Sequence, residues 1–380
     1  MNTTTTTKMN MNMNIISVGN YLIHIKSEAD KFHSGVHKLS QEAVSVNIID
    51  KMDQKEMARV AREVKAQVAG KNISSMIKLK EVFHDEKRYF VIYESFTDGN
   101  SCTLYDFIKQ FGKLDENNGR KIFQQVAECL ASLHNVGIVH GDLKLPNVII
   151  QGNVEKLKNA ARFETRIFEE MKKNNTVHTN HVTLSNNNNS LKTKFRDEMD
   201  FEMDAEAKIV NPFEVCKGDI TLKIRDFSES TILGDPTEQI RGHKGSPGYL
   251  APEVTMTQQS FDGKKADCYA LGVIGYALLV GAYPLTAPSF LELVEKIRYS
   301  SVEFPASLSP NAVGLFQRLL EKSPNKRLPA TAVLRHPWIT EVDEQIVPET
   351  EASRSLGCSQ AYYPVCCSIG VSERSAQTAC

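Results

Sequence analysis

Short runs of alternating apolar and polar residues open the chain, and a 3.6-residue period takes over farther along it. Tyr21-Leu22-Ile23-His24-Ile25 and Ala43-Val44-Ser45-Val46-Asn47-Ile48-Ile49 predict strands. Between residues 53 and 69, Ala58, Ala61, Val64 and Val68 recur at spacings of three and four, which predicts a helix. Strands over residues 76–83 and 89–93 flank the turn His84-Asp85-Glu86-Lys87. Helices begin at Leu104 and over residues 116–135, where Ile122, Val126, Cys129, Leu130 and Leu133 share a face and Gly137 marks the stop. Ile138-Val139 and Val148-Ile149-Ile150 bracket a polar loop, Thr221-Leu222-Lys223-Ile224 predicts another strand, and residues 266 to about 336 are helical. The layout is α+β: a small β-rich part over residues 20–98, then a larger helical part over 99–340.

Three segments fall outside this pattern. Residues 1–19 form a Thr, Met and Asn tract expected to be disordered. Residues 151–218 are rich in Lys, Asn and Glu and include Asn186-Asn187-Asn188-Asn189. They predict a largely disordered surface insertion with one helix near 158–172. Residues 341–380 have few periodic apolar positions and form a tail.

Composition narrows the function classes. A 41% hydrophobic content fills a sizeable core, and 45 basic against 46 acidic residues argue against nucleic-acid binding by bulk charge. The longest apolar run, residues 271–285, contains Gly275, Gly281 and Pro284 and falls short of the roughly 20 residues of a bilayer span, so no membrane role is expected. The beginning of the chain does not resemble a secretory signal. Eight cysteines without C-x-x-C spacing fit neither a zinc ribbon nor a dense disulfide framework, and free thiols suit an intracellular compartment, nucleus or cytoplasm.

The polar loop carries the candidate chemistry. His140-Gly141-Asp142-Leu143-Lys144-Leu145-Pro146-Asn147 matches the catalytic loop of protein kinases, H-R-D-x-K-x-x-N. Asp142 is the candidate base, Lys144 a phosphate contact and Asn147 a metal ligand. Asp226-Phe227-Ser228 stands after a strand where D-F-G belongs, making Asp226 the second candidate metal ligand, and Ala251-Pro252-Glu253 closes an activation segment. Asp267, Gly272 and Arg327 take scaffold positions, with Glu253–Arg327 expected as an ion pair. In this order the set resembles a bilobal protein kinase.

The nucleotide side departs from that pattern. Where a glycine-rich loop belongs, the chain reads Lys26-Ser27-Glu28-Ala29-Asp30-Lys31-Phe32-His33-Ser34-Gly35, with Gly35 alone remaining. Side chains there obstruct the approach of backbone N–H groups to phosphate, and Glu28 and Asp30 add repulsion. Asn47 occupies the strand-lysine position, facing the cleft with Ser45, while Lys51 lies four residues on. Glu63 stands where the helix glutamate belongs and, without its lysine, is expected to be solvated or locally paired. Gly141 removes the H-R-D arginine, and Tyr93 puts a bulky side chain at the back wall. A phosphate cation contributes on the order of 10³-fold or more to transfer. ATP and magnesium binding are therefore expected to be weak or absent, with no cofactor required. A weakly active Ser/Thr kinase using Lys51 or Lys144 as its phosphate cation is the alternative.

Ser260-Phe261-Asp262-Gly263-Lys264-Lys265-Ala266-Asp267, Leu271-Gly272-Val273-Ile274, Leu278-Leu279-Val280-Gly281-Ala282-Tyr283-Pro284 and His336-Pro337-Trp338 resemble the Tribbles family of pseudokinases. Glu344-Gln345-Ile346-Val347-Pro348-Glu349 resembles the motif by which that family recruits a ubiquitin ligase of the constitutive photomorphogenic class. The resemblance implies an adaptor that holds a transcription-factor target of the CCAAT/enhancer-binding type. It also implies binding of MAP kinase kinases, partly through the region of His336-Pro337-Trp338. The chain departs from the family in keeping Asp226-Phe227 and Asn147, and in its insertion.

Overall fold

The computed structural model describes residues 15–25, 32–96, 101–159, 161, 220–242, 245–256 and 259–340. Six strands build one antiparallel sheet: β1 (Ile15–Val18), β2 (Tyr21–His24), β3 (Phe32–His37), β4 (Ala43–Asp50), β5 (Leu79–His84) and β6 (Arg88–Glu94), in the order β1-β2-β3-β4-β6-β5. Strand alternation sorts their side chains onto two faces. Val44 and Val46 of β4 join Ile16, Val18, Tyr21, Ile23, Phe83, Phe90 and Ile92 in one apolar cluster. Ile49 lies on the other face and packs with Ile77, Val91, Tyr93, Phe96 and Ile149. Ser45 and Asn47 share the face of Ile49.

Helix α1 (Gln54–Ala69) connects β4 to β5, and Asp53 caps it by accepting from the Lys55 and Glu56 amides. The expectation that residues 1–19 are disordered is corrected at its end. Ile15 to Val18 pair with β2, Ile16 opposite Ile23, and bury Ile16 and Val18. The low-complexity tract stops at Asn14, and Ile-Ile-Ser-Val has the apolar alternation of an edge strand. Residues 1–14 themselves lie outside the described residues.

The second lobe is helical: α2 (Leu104–Phe111), α3 (Glu116–Asn135), α4 (Gly263–Val280), α5 (Phe290–Tyr299), α6 (Pro310–Leu319), and the short α7 (Ala330–Val333) and α8 (Pro337–Thr340). β7 (Ser101–Thr103), β9 (Val148–Gly152) and β10 (Ile220–Ile224) make a small sheet, and β8 (Ile138–Val139) pairs with β11 (Thr231–Ile232). Helix α3 matches its expected bounds, with Asp115 capping the Asn118 amide. Helix α4 is buried almost all round from Asp267 to Leu279, which explains its lack of an amphipathic stripe. Among the described residues no helix is long and apolar enough to cross a membrane. Residues 154–159 are helical, and most of the helix expected over 158–172, with most of the insertion, lies outside the described residues.

Cys102, Cys129 and Cys268 are free thiols. Burial pushes them up to about 11, 12 and 12 respectively from an ordinary value near 9. Each stays protonated, hence unreactive, well above neutrality. Alkylation of these three at pH 8 should require unfolding. Since their folded pKa values are raised, the stability they contribute is present below about pH 9 and lost as pH rises through roughly 11–12. Mass spectrometry after iodoacetamide, with and without urea, checks the first expectation.

Candidate functional site

The loop between β8 and β9 is held from beneath by α4. Asp267 accepts from the amides of His140 at 2.8 Å and Gly141 at 3.0 Å, and lies 3.0 Å from His134 Nε2. Gly141 has φ +76°, a conformation that suits glycine better than the arginine it replaces. Asp142, Lys144 and Ser246 form a closed triangle. Lys144 Nζ donates to Asp142 Oδ2 at 2.6 Å and to Ser246 Oγ at 2.8 Å, and Ser246 Oγ donates to Asp142 Oδ1 at 2.8 Å. Asn147 Nδ2 donates to the Asp142 carbonyl at 3.0 Å. The predicted base, lysine and asparagine therefore meet at one place.

Asp226 follows β10 in the left-handed region, φ +67°. Ser228 Oγ donates to its Oδ1 at 2.6 Å, a contact that exists because serine replaces the glycine of D-F-G. Phe227 is fully buried, its ring 5.0 Å from that of His140. Helix α1 is fastened to this turn: Arg62 Nε donates to the Ser228 carbonyl at 2.6 Å, and Arg59 Nε to Glu229 at 2.9 Å.

The nucleotide side is arranged differently. Ser45 and Asn47 are 0% and 6% exposed, and Glu63 is 7% exposed, so none of them lines an open cleft. Glu63 is hydrogen-bonded by the Tyr93 phenol. Burial first, then the charge and hydrogen bond of Glu63, raise Tyr93 well above its ordinary value, so it stays a neutral donor. Of the two expectations for Glu63, solvated or locally paired, the structure shows the paired one. Lys51 directly follows β4, and its side chain reaches the β5–β6 hairpin, with Nζ 3.1 Å from His84 Nδ1 and 5.1 Å from the centre of the Tyr89 ring. Gly35 sits within β3 opposite Val44, where a Cβ would come within 2.9 Å of the Leu22 carbonyl oxygen. It is a strand-packing glycine. Lys26 to Lys31, including Glu28 and Asp30, lie outside the described residues.

Three residues to which the sequence pattern assigned no role, Arg225, Phe32 and Phe96, complete this side. The Arg225 guanidinium carbon is 4.9 Å from the ring centres of both Phe32 and Phe96. Those rings lie 5.1 Å apart, edge to face. Burial lowers Arg225 from its ordinary value, opposed by the carboxylates of Asp226, Asp106 and Glu63. A basic residue directly before Asp226, ending a buried strand, was the available signal. Among the described residues no group of three or more His, Cys, Asp or Glu side chains could hold a metal ion. The residues present do not fit a magnesium nucleotide: an amide stands in the lysine position, and a serine bonds the metal-site carboxylate.

The expectation that His336-Pro337-Trp338 serves as a docking surface is corrected for its tryptophan. Trp338 is 1% exposed, stacked edge to face on Phe123 and Phe316 at 5.5 and 5.3 Å, with Nε1 donating to Glu116 at 2.7 Å. Its indole is core, and Pro337 is the exposed member. Glu344, Gln345, Ile346, Val347, Pro348 and Glu349 lie outside the described residues.

A protein kinase domain model matches residues 30–161 and 208–339. Tribbles homolog 2 of Canis lupus familiaris is 24% identical over 353 residues, covering 89% of this chain and 81% of that protein. CBL-interacting protein kinase 1 of Oryza sativa subsp. japonica is 26% identical over 279 residues, 72% of this chain and 45% of that one. Serine/threonine-protein kinase SIK1 of Rattus norvegicus is 23% identical over 322 residues, 84% and 32% respectively. With its bilobal α+β fold, the chain belongs to the protein kinase family, as a pseudokinase-like member similar to Tribbles.

Proposed function

We propose that this protein is a non-catalytic adaptor. Its kinase-like domain holds a target, and the tail motif Glu344–Glu349 brings a ubiquitin ligase of the constitutive photomorphogenic class. The observation that carries the non-catalytic part is Asn47 at the lysine position, with Glu63 bonded instead by the Tyr93 phenol. ATP and magnesium are then not required, and their binding is weak or absent. The candidate partners are a transcription factor of the CCAAT/enhancer-binding type and MAP kinase kinases, with action in the nucleus or cytoplasm. An extended Val-Pro segment docks at low ordering cost, and flanking carboxylates suit a basic groove. A peptide of residues 341–380 should bind the ligase's substrate-recognition domain, and Val347→Ala with Pro348→Ala should weaken it at least tenfold. Equal binding by both peptides would contradict the recruitment.

A second reading is a weakly active Ser/Thr kinase, favoured by the intact Asp142–Lys144–Ser246 triangle and by Asn147. Restoring Asn47→Lys separates the two. In the adaptor reading the new ammonium enters a closed site whose glutamate is already bonded by Tyr93. The variant should then show lower thermal stability and no gain in phosphate transfer. Recovery of turnover that Asp142→Asn abolishes would favour the kinase.

A further inference from the structure

We propose that Arg225 is an internal plug: its guanidinium, set against Phe32 and Phe96, fills the cleft between the lobes and holds them together where a kinase would hold a nucleotide. This rests on the non-catalytic reading of the cleft.

The cleft has a roof and a floor. Ser45 of β4 belongs to the roof and is 0% exposed, while Ile149 of β9 belongs to the floor and is 1% exposed. Ile149 packs in one apolar cluster with Val91, Tyr93 and Phe96 of the first lobe. Both surfaces are buried in the protein's own packing. Phe32 opens β3 opposite Asn47, and its ring meets Tyr93 at 6.0 Å as well as Phe96. Phe96 is fixed in turn by its amide, which donates to Ser45 Oγ at 3.2 Å.

Arg225 reaches this aromatic group from the other lobe. Its amide donates to the Asn147 carbonyl at 3.0 Å, and its carbonyl lies 3.1 Å from His140 Nε2. Its Nη2 donates to the Pro146 carbonyl at 3.1 Å. The main chain and one nitrogen are thus tied to the catalytic loop, while the guanidinium carbon lies against two rings of the first lobe. Nε is buried without a hydrogen-bond partner among the described residues. A guanidinium with a buried donor left unmade is held by something other than a complete hydrogen-bond set, and the two ring contacts supply it. Gln151 adds a second tie across the cleft, its Nε2 donating to the Ser95 carbonyl at 3.2 Å. Ligand binding in a cleft of this kind ordinarily drives closure of the two lobes. Here the closing contact is covalently part of the chain, and a partner meets one lobe arrangement whether or not nucleotide is present.

The test uses the full chain as wild type, Arg225→Ala and Arg225→Met, with trinitrophenyl-ATP and methylguanidinium as probes. The proposal expects negligible nucleotide-analogue binding by wild type and at least a tenfold gain on Arg225→Ala. It expects faster amide exchange in residues 32–37 and 93–96 in both variants, since methionine restores length but not the cation. Millimolar methylguanidinium, against sodium chloride at equal ionic strength, should slow that exchange again in Arg225→Ala. If Arg225→Ala does not fold, exchange in Arg225→Met decides. Unchanged exchange and no gain in analogue binding would overturn the plug and leave the non-catalytic reading standing. Strong analogue binding by wild type would overturn both.

Discussion

Replacing Arg327 with alanine will cost about 3–5 kcal/mol of stability, the scale seen when one partner of a buried ion pair is removed. The Arg327 side chain is wholly buried, and its Nη1 and Nη2 donate to the two Glu253 carboxylate oxygens at 2.6 and 2.9 Å. Its remaining donors reach the carbonyls of Lys265 and Glu321, and its guanidinium carbon is 5.2 Å from the centre of the Tyr269 ring. The loss therefore strands one carboxylate and two backbone acceptors together. Lysine cannot rescue it, because an ammonium does not reproduce the planar fork. Urea unfolding of Arg327→Ala, Arg327→Lys and Glu253→Gln with Arg327→Met checks this. The double variant should lose less than Arg327→Ala, since it leaves no buried charge unpaired.

Trp338→Ala should cost a similar amount, about 3–5 kcal/mol, by a different mechanism. The indole fills the space between Phe123 of α3 and Phe316 of α6, whose rings also meet each other at 5.7 Å. Truncation leaves a cavity at the junction of three helices. It also removes the donor at 2.7 Å to Glu116, which fastens α3 to Ser309 at the start of α6. Trp338→Phe keeps much of the volume and should lose roughly half as much. A melting temperature unchanged by Trp338→Ala would place the indole outside the core and restore it as a docking residue.

Much of this was legible in the chain, for physical reasons. The alternation of Val44 and Val46 against Ser45 and Asn47 gave both the strand and the face that meets the cleft. Asp142, Lys144 and Asn147 converge because a fixed loop spacing carries them. The partners of Asn47's neighbours were not legible. That Tyr93 bonds Glu63, and that Lys51 turns to His84, depends on which way side chains leave adjacent strands. Phe32, Phe96 and Arg225 are 64 or more residues apart in all but the arithmetic of packing, and no local period links them. The partner role of Trp338 came from the family resemblance, which says nothing of burial, and here the terminal turn closes a core.

The account stands most directly on one titration: magnesium-ATP into the purified full chain, followed by calorimetry, with phosphate transfer to a Ser/Thr peptide measured on the same material. It predicts no binding at millimolar nucleotide and no transfer above that of Asp142→Asn. Tight binding with turnover that Asp142→Asn removes would contradict it.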